Sequence, residues 1–333
     1  MAPQKQAPLP EAFYLDSLAS YWRLLTIRAV AELALADHLK DGPLPVEELA
    51  AKAKAHAPTV YRVMRALTNA GVFAEPSSRT FALTPLGQLL RSDVPNSFRS
   101  MILAEFEMER VPAWHALPQS IRTGEVAYEH VRGADIWKYY RENPEQGEHF
   151  ARWMTQGTRV MTQAVFEVFD FSPFATIVDV GGGQGLFLEE LLRKYPNGQG
   201  ILFDQPEVIA IAPERPRIRR VGGNFFEAVP EGGDLYTLKL IIHDWEEAKA
   251  LAILRNVRKA MKPGAKLMLM EAVVKDGPEP DFAKWMDINM LVIPGGQERT
   301  VEEYRELFGK AGFSLEKAIP TPGLLTLLPA SIL

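Results

Sequence analysis

The sequence has no cysteine among its 333 residues, which excludes disulfides, thiolate metal sites and thiol nucleophiles and fits a reducing cytosol. Neither sign of charge is in large excess. With 37 basic against 42 acidic residues the net charge is −5, a balance that argues against a nucleic-acid partner. No apolar run approaches transmembrane length, and Met1 to Pro10, carrying proline, glutamine and lysine, lacks the apolar core of a signal peptide. A soluble cytoplasmic protein with a disordered leader over residues 1–10 is expected. No large internal repeat or low-complexity tract occurs. The length exceeds one typical domain, so two are anticipated.

The most informative stretch is Thr176-Ile177-Val178-Asp179-Val180-Gly181-Gly182-Gly183-Gln184-Gly185. Its β-branched start suits a buried parallel strand, and Leu186 to Lys194 repeats apolar residues at helical spacing. Strand, glycine turn and helix make a nucleotide-type site, because glycine lets a ligand approach the backbone and the helix start offers free N–H groups. The dinucleotide fingerprint requires glycine at its sixth position, where this chain has Leu186. Asp179 at the mouth of the loop would repel a pyrophosphate but suits a ligand carrying ammonium and sulfonium charges, as S-adenosylmethionine does. A second apolar run, Gly200 to Phe203, ends in Asp204, whose carboxylate can accept both hydroxyls of a ribose.

From Ala12 to about Leu90 the pattern is helical. Ala29 to Leu39 reads as one helix, Pro45 opens a second, and a third follows Pro58 with Val60, Val63, Met64 and Leu67 on one face and Gly71 at its end. Val72 to Ala74 and Thr80 to Leu83 then form a hairpin, completing a winged helix over residues 11–92. Such a unit commonly reads DNA, yet its third helix would expose only Arg62 and Arg65, with Arg79 on the wing, a thin phosphate footprint better read as solvated surface charge. The alanine- and leucine-rich helices suggest a dimerisation surface instead. Residues 93–165 form a helical connector or lid rich in aromatics, of which Phe150, Trp153 and Met154 are the candidate substrate contacts.

Beyond Asp204 the alternation continues through Ile218 to Val221, Leu235 to Ile242, a helix from Glu246 to Met261, and Lys266 to Met270. Residues 166–333 therefore read as a doubly wound α/β domain, with ligands at the carboxyl ends of its strands. Those ends and one later loop present Asn224-Phe225, Lys239, His243-Asp244-Trp245, Glu271 and Gly295-Gly296-Gln297-Glu298-Arg299-Thr300.

Taken together, the glycine motif, Phe203-Asp204-Gln205-Pro206, Gly222 to Phe226, Leu238-Lys239 with Ile242 to Trp245, and Gly295 to Thr300 resemble the S-adenosylmethionine-dependent O-methyltransferases of the caffeic-acid and acetylserotonin type. The resemblance covers nearly the whole chain. It implies that Gly181, Gly183 and Gly185 hold the methionine end of the cofactor, that Asp204 with Gln205 takes the ribose, that Phe225 packs on the adenine, and that Lys239 completes the pocket. Asn224 stands where the family usually has aspartate, and its carbonyl can still accept the adenine amine, so a modest change in affinity is expected.

His243 matches the family's general base, with Glu271 and Glu298 as flanking acids that fix its tautomer. A phenol, with a pKa of about 10, is mostly protonated at neutral pH, and an imidazole with a pKa near about 6.5 can take its proton as the methyl moves. His38, His56, His115, His130 and His149 read as structural. Asp244 reads both as substrate contact and as N-cap of the following helix. By resemblance Asn289 and Met290 line the acceptor pocket with Met154. No metal-ligand spacing is evident, so no metal is expected. The resulting reading is a homodimeric O-methyltransferase acting on an aromatic hydroxyl, with N- or C-methylation, another reaction on the same fold, or a ligand-responsive regulator as alternatives.

Overall fold

The computed structural model describes residues 10–333, so the expected leader falls almost wholly outside the described part; Pro10 already opens a helix. The chain divides into two compact units, ending and beginning at Glu107 and Met108. Residues 93–165, read from sequence as one connector, are thus shared out. Arg99–Glu105 belongs to the first unit and the helices from Val111 onward to the second.

In the first unit, Leu44–Pro45, Thr80–Leu83 and Phe73–Ser77 pair antiparallel, with Thr80–Leu83 in the middle. The helix Ala57–Asn69 buries Val60, Met64 and Leu67 against Leu49, Phe73 and Phe81, as its spacing requires. The expected helix from Ala29 to Leu39 is broken. A helix of 23 residues, Pro10–Glu32, stops before Ala34, which is left-handed at φ 52°, and a short turn Leu35–His38 restarts in a new direction. Leu35, Ala36 and Leu39 are buried beyond the break. The long helix leaves Phe13, Tyr14, Tyr21 and Trp22 more than half exposed. Arg62 and Arg65 face solvent, while Arg79 bonds Glu47 and lies 4.6 Å over the Tyr61 ring.

The second unit is built on an eight-stranded sheet. Thr176–Val180 sits between Gln199–Asp204 and Leu235–Lys239, all parallel, with Ile218–Gly222 beyond the former and Lys266–Glu271 beyond the latter. Thr326–Ile332 runs antiparallel at that side. Alternate residues feed two cores, as in a doubly wound fold: Val178, Val180 and Tyr236 meet the helices Glu247–Ala260 and Val301–Ala311, whereas Ile177, Leu202 and Leu235 meet Leu186–Lys194 and the end of Pro144–Val168. No described helix is long and apolar enough to cross a membrane. The strand expected to run to Ile242 stops at Lys239. Leu240 turns left-handed at φ 53° and Ile242–Asp244 forms a single 3₁₀ turn. The next helix is entered through Glu246, so Asp244 does not cap it.

Candidate active site

The carboxyl ends of the three central strands place two loops side by side. After Val180 the chain bends through Gly181, at φ 72°, where a Cβ would lie 2.4 Å from Cδ1 of Ile241, so only glycine lets the cofactor-type loop close against the turn that carries His243. Gly183 donates its N–H to Oδ2 of Asp204 at 2.8 Å, and Gln205 donates to Oδ1 at 2.7 Å. Burial raises the Asp204 carboxyl while these two N–H groups oppose the rise. Each oxygen keeps a free lone pair, and a Cβ on Gly183 would meet nothing within 4 Å, so the loop is open on the side where a ribose and a methionine tail would lie.

Asp179 sits deeper than a ligand-facing carboxylate. It is 1% exposed, its Oδ1 accepts the Thr237 hydroxyl at 2.7 Å, and its Oδ2 lies directly beneath Gly182. Burial lifts its pKa to about 6 against the pull of Thr237 and Lys239. Lys239 closes its strand between Asp179 and Glu271, its own pKa lowered by burial against the attraction of both acids. Asn224 is engaged at both ends: its carbonyl accepts Phe226 N–H and its amide donates to Glu227, each at 3.0 Å. Phe225 stands edge-on to Phe226 and Trp245.

His243 is buried, and its Nδ1 lies 2.6 Å from Oε1 of Glu298. Its other ring nitrogen is 3.5 Å from Asp244. Burial would lower its pKa, but the carboxylates of Asp244, Glu298 and Glu271 outweigh burial and push it up to about 10. The two expected flanking acids do different work. Glu271 does not bond the ring; its Oε1 accepts the N–H groups of Ile241 and Ile242 at 3.3 and 2.9 Å, and burial raises it to about 7. It holds the backbone of the turn. His243, Glu271 and Glu298 nonetheless present donor atoms within 4.8 Å of one another.

Phe150 stacks on Tyr140 at 4.9 Å and meets Trp137 and Trp153 edge-on, so much of its surface is spent on packing. Met154 follows one turn later on the same helix. On Phe282–Val292, Asn289 buries an Oδ1 that has no partner among the described residues, and the carbonyl of Met290 accepts Gly295 and Gly296 N–H. Asp287 accepts Glu298 N–H at 3.0 Å, pinning the acid that bonds the base. Three features had no assigned role in the sequence reading: Thr237 beneath Asp179, Gly296 against the His243 carbonyl, and buried Arg299. The last two lie within Gly295 to Thr300, where the adjacent glycines are the local signal for a close backbone approach, here to His243 and Asp244.

A family model of the O-methyltransferase domain matches residues 114–314, and one of the O-methyltransferase dimerisation domain matches residues 15–93. This chain belongs to the O-methyltransferase family. It is an S-adenosylmethionine-dependent enzyme of that class. The phenazine O-methyltransferase PhzM of Lysobacter antibioticus is 41% identical over 323 residues, covering 95% of this chain and 94% of the relative. The crystal structure of LaPhzM superposes with a TM-score of 0.94 at 40% identity, covering 98% of this chain and 100% of the other. CalO1, a methyltransferase of calicheamicin biosynthesis solved in its S-adenosylhomocysteine-bound form, gives 0.85 at 31% identity over 99% and 100%. The similarity thus spans both units.

Proposed function

We propose that this enzyme methylates a hydroxyl on a planar aromatic small molecule, with His243 as the base, Glu298 as the acid that orients it, and no metal in the reaction. The observation that carries the reading is the buried 2.6 Å contact of His243 Nδ1 with Glu298, on a turn packed against the glycine loop. With Nδ1 committed, Nε2 is the nitrogen left for an acceptor. S-adenosylmethionine, when bound, supplies a methyl group made electrophilic by its sulfonium. Asp204, the glycine loop, Phe225 and Lys239 would hold it. His243 would take the proton that the acceptor hydroxyl gives up on methylation.

An imidazole raised to about 10 matches the proton affinity of a phenolate. At neutral pH such an imidazole is protonated in the ligand-free enzyme, so the site must release one proton as the acceptor binds; phenol beside imidazole and phenolate beside imidazolium then lie close in energy, and the second presents the anionic oxygen. The relative's phenazine activity, together with the aromatic cluster around Trp137, Phe150 and Trp153, favours a fused-ring acceptor bordered by Met154, Asn289 and Met290. The first unit is read as a winged helix used for homodimerisation, its exposed Phe13, Tyr14, Tyr21 and Trp22 being the contact surface and Arg79 already engaged by Glu47 and Tyr61.

Calorimetric titration with S-adenosylmethionine, paired with methyl-transfer assays on hydroxyphenazines, hydroxybenzoates and hydroxyquinones, tests this. Cofactor binding with transfer to at least one ring hydroxyl is expected. Transfer only to ring nitrogen or carbon would overturn the acceptor assignment.

A further inference from the structure

We infer that Arg299 is the positioning residue of the catalytic turn, an assignment that rests on His243 being the base. Arg299 is 4% exposed. One guanidinium nitrogen, Nη1, donates to the carbonyls of Ile242 at 3.3 Å and Gln297 at 3.1 Å, and Nη2 donates to the carbonyl of Trp245 at 3.0 Å. Ile242 and Trp245 bracket His243 and Asp244. A single planar fork therefore ties together the residue before the base, the residue after Asp244, and the loop that carries Glu298.

The turn depends on outside contacts for its shape. It begins with a left-handed leucine, contains one 3₁₀ turn, and has the N–H groups of Ile241 and Ile242 taken by Glu271. Within the turn the Ile241 and Ile242 carbonyls accept Asp244 and Trp245 N–H at 3.2 and 3.3 Å; from outside it, Arg299 bonds the Ile242 and Trp245 carbonyls and Gln297 N–H bonds that of His243 at 2.8 Å. Arg299 is itself anchored, since its carbonyl accepts Val274 N–H at 3.0 Å just beyond Glu271. All three guanidinium bonds end on backbone carbonyls, so the side chain acts on the path of the chain around the base. Lysine would keep the charge but not the fork, whose two nitrogens span the turn.

Arg299→Lys and Arg299→Ala are compared with His243→Ala by cofactor titration, by kcat as a function of pH, and by the downfield proton resonance of the His243 Nδ1–H in histidine-labelled protein. Both Arg299 variants should bind S-adenosylmethionine within about threefold of the parent. They should lose kcat by about 100-fold, the cost of a misplaced base, and lose the downfield resonance. Added methylguanidinium should restore both signals in Arg299→Ala and neither in His243→Ala. The inference is overturned if Arg299→Lys keeps parental kcat and pH profile, if the resonance persists in Arg299→Ala, or if lost activity only follows lost cofactor binding. A fully active His243→Ala would instead remove the base reading, and is recognised without reference to Arg299.

Discussion

Glu298 and Glu271 both approach the base, but only Glu298 bonds the imidazole, 2.6 Å from Nδ1, while Glu271 accepts the backbone N–H groups two and one residues before it. An acid that orients a base and stabilises its protonated form acts on the chemical step. An acid that holds backbone acts on the shape of the turn.

The two glutamates should therefore separate in mutagenesis. Glu298→Gln is expected to lower kcat by about 100- to 10,000-fold with cofactor affinity unchanged, because an amide can hold the wrong tautomer. Glu271→Gln keeps an oxygen able to accept Ile242 N–H and should cost less than about tenfold in kcat, while Glu271→Ala should lose about 1–3 kcal/mol of stability by leaving buried N–H groups unpaired. Steady-state kinetics and denaturant unfolding of the three variants check this. Equal kinetic losses in both glutamine variants would contradict the division.

Stability should fall as pH rises in the ligand-free protein. The folded-state values of Asp179 and Asp244 are about 6, that of Glu271 about 7 and that of His243 about 10, all above their ordinary values. Through these four groups the native state binds more protons than the unfolded chain between about pH 4 and about pH 10, so their contribution to stability declines through that window, with the lowered pKa of Lys239 opposing the decline. For His243 the contribution is complete below its unfolded value of 6.5 and disappears as pH passes about 10. Thermal melts at pH 6 through 9 should show a decreasing Tm, with a shallower slope near pH 6 in Glu271→Gln. A Tm that rises across this range would contradict these protonation assignments.

Gly296 is a sharp steric test of the loop contact. A Cβ there would stand 1.9 Å from the His243 carbonyl oxygen and 2.7 Å from Cα of Asp244, both backbone atoms that cannot swing aside. Gly296→Ala should displace the turn and reduce kcat by about 100-fold or more while S-adenosylmethionine still binds. Titration and turnover assays on the same preparation distinguish this from misfolding, and parental turnover would show that the turn adapts.

Much of the catalytic frame was legible because independent local signals coincide. Thr176 to Lys194 carries a buried-strand composition, a glycine turn and a helical repeat, and strand and helix form within those bounds. The division of labour between Glu271 and Glu298 was not legible. It depends on a left-handed Leu240 and on chain 55 residues beyond His243, neither of which leaves a periodic trace. Likewise, alanine and leucine favour helix throughout Ala29 to Leu39, so nothing local announces the left-handed Ala34 that breaks the helix. Asp179 reads from the sequence as a ligand-facing acid at the mouth of the loop, yet it is buried against Thr237 on a neighbouring strand, a partner found only through sheet pairing.

The central claim, that His243 manages the acceptor's proton, is tested most directly by comparing His243→Ala with the parent on acceptors whose ring hydroxyls span pKa values from about 10 down to about 6. An acceptor already ionised in solution does not need the base. The account predicts a loss in kcat of at least about 100-fold for the least acidic phenol, shrinking to within about tenfold for the most acidic, with S-adenosylmethionine binding unchanged throughout. A loss that is the same for every acceptor, or no loss for any, would contradict it.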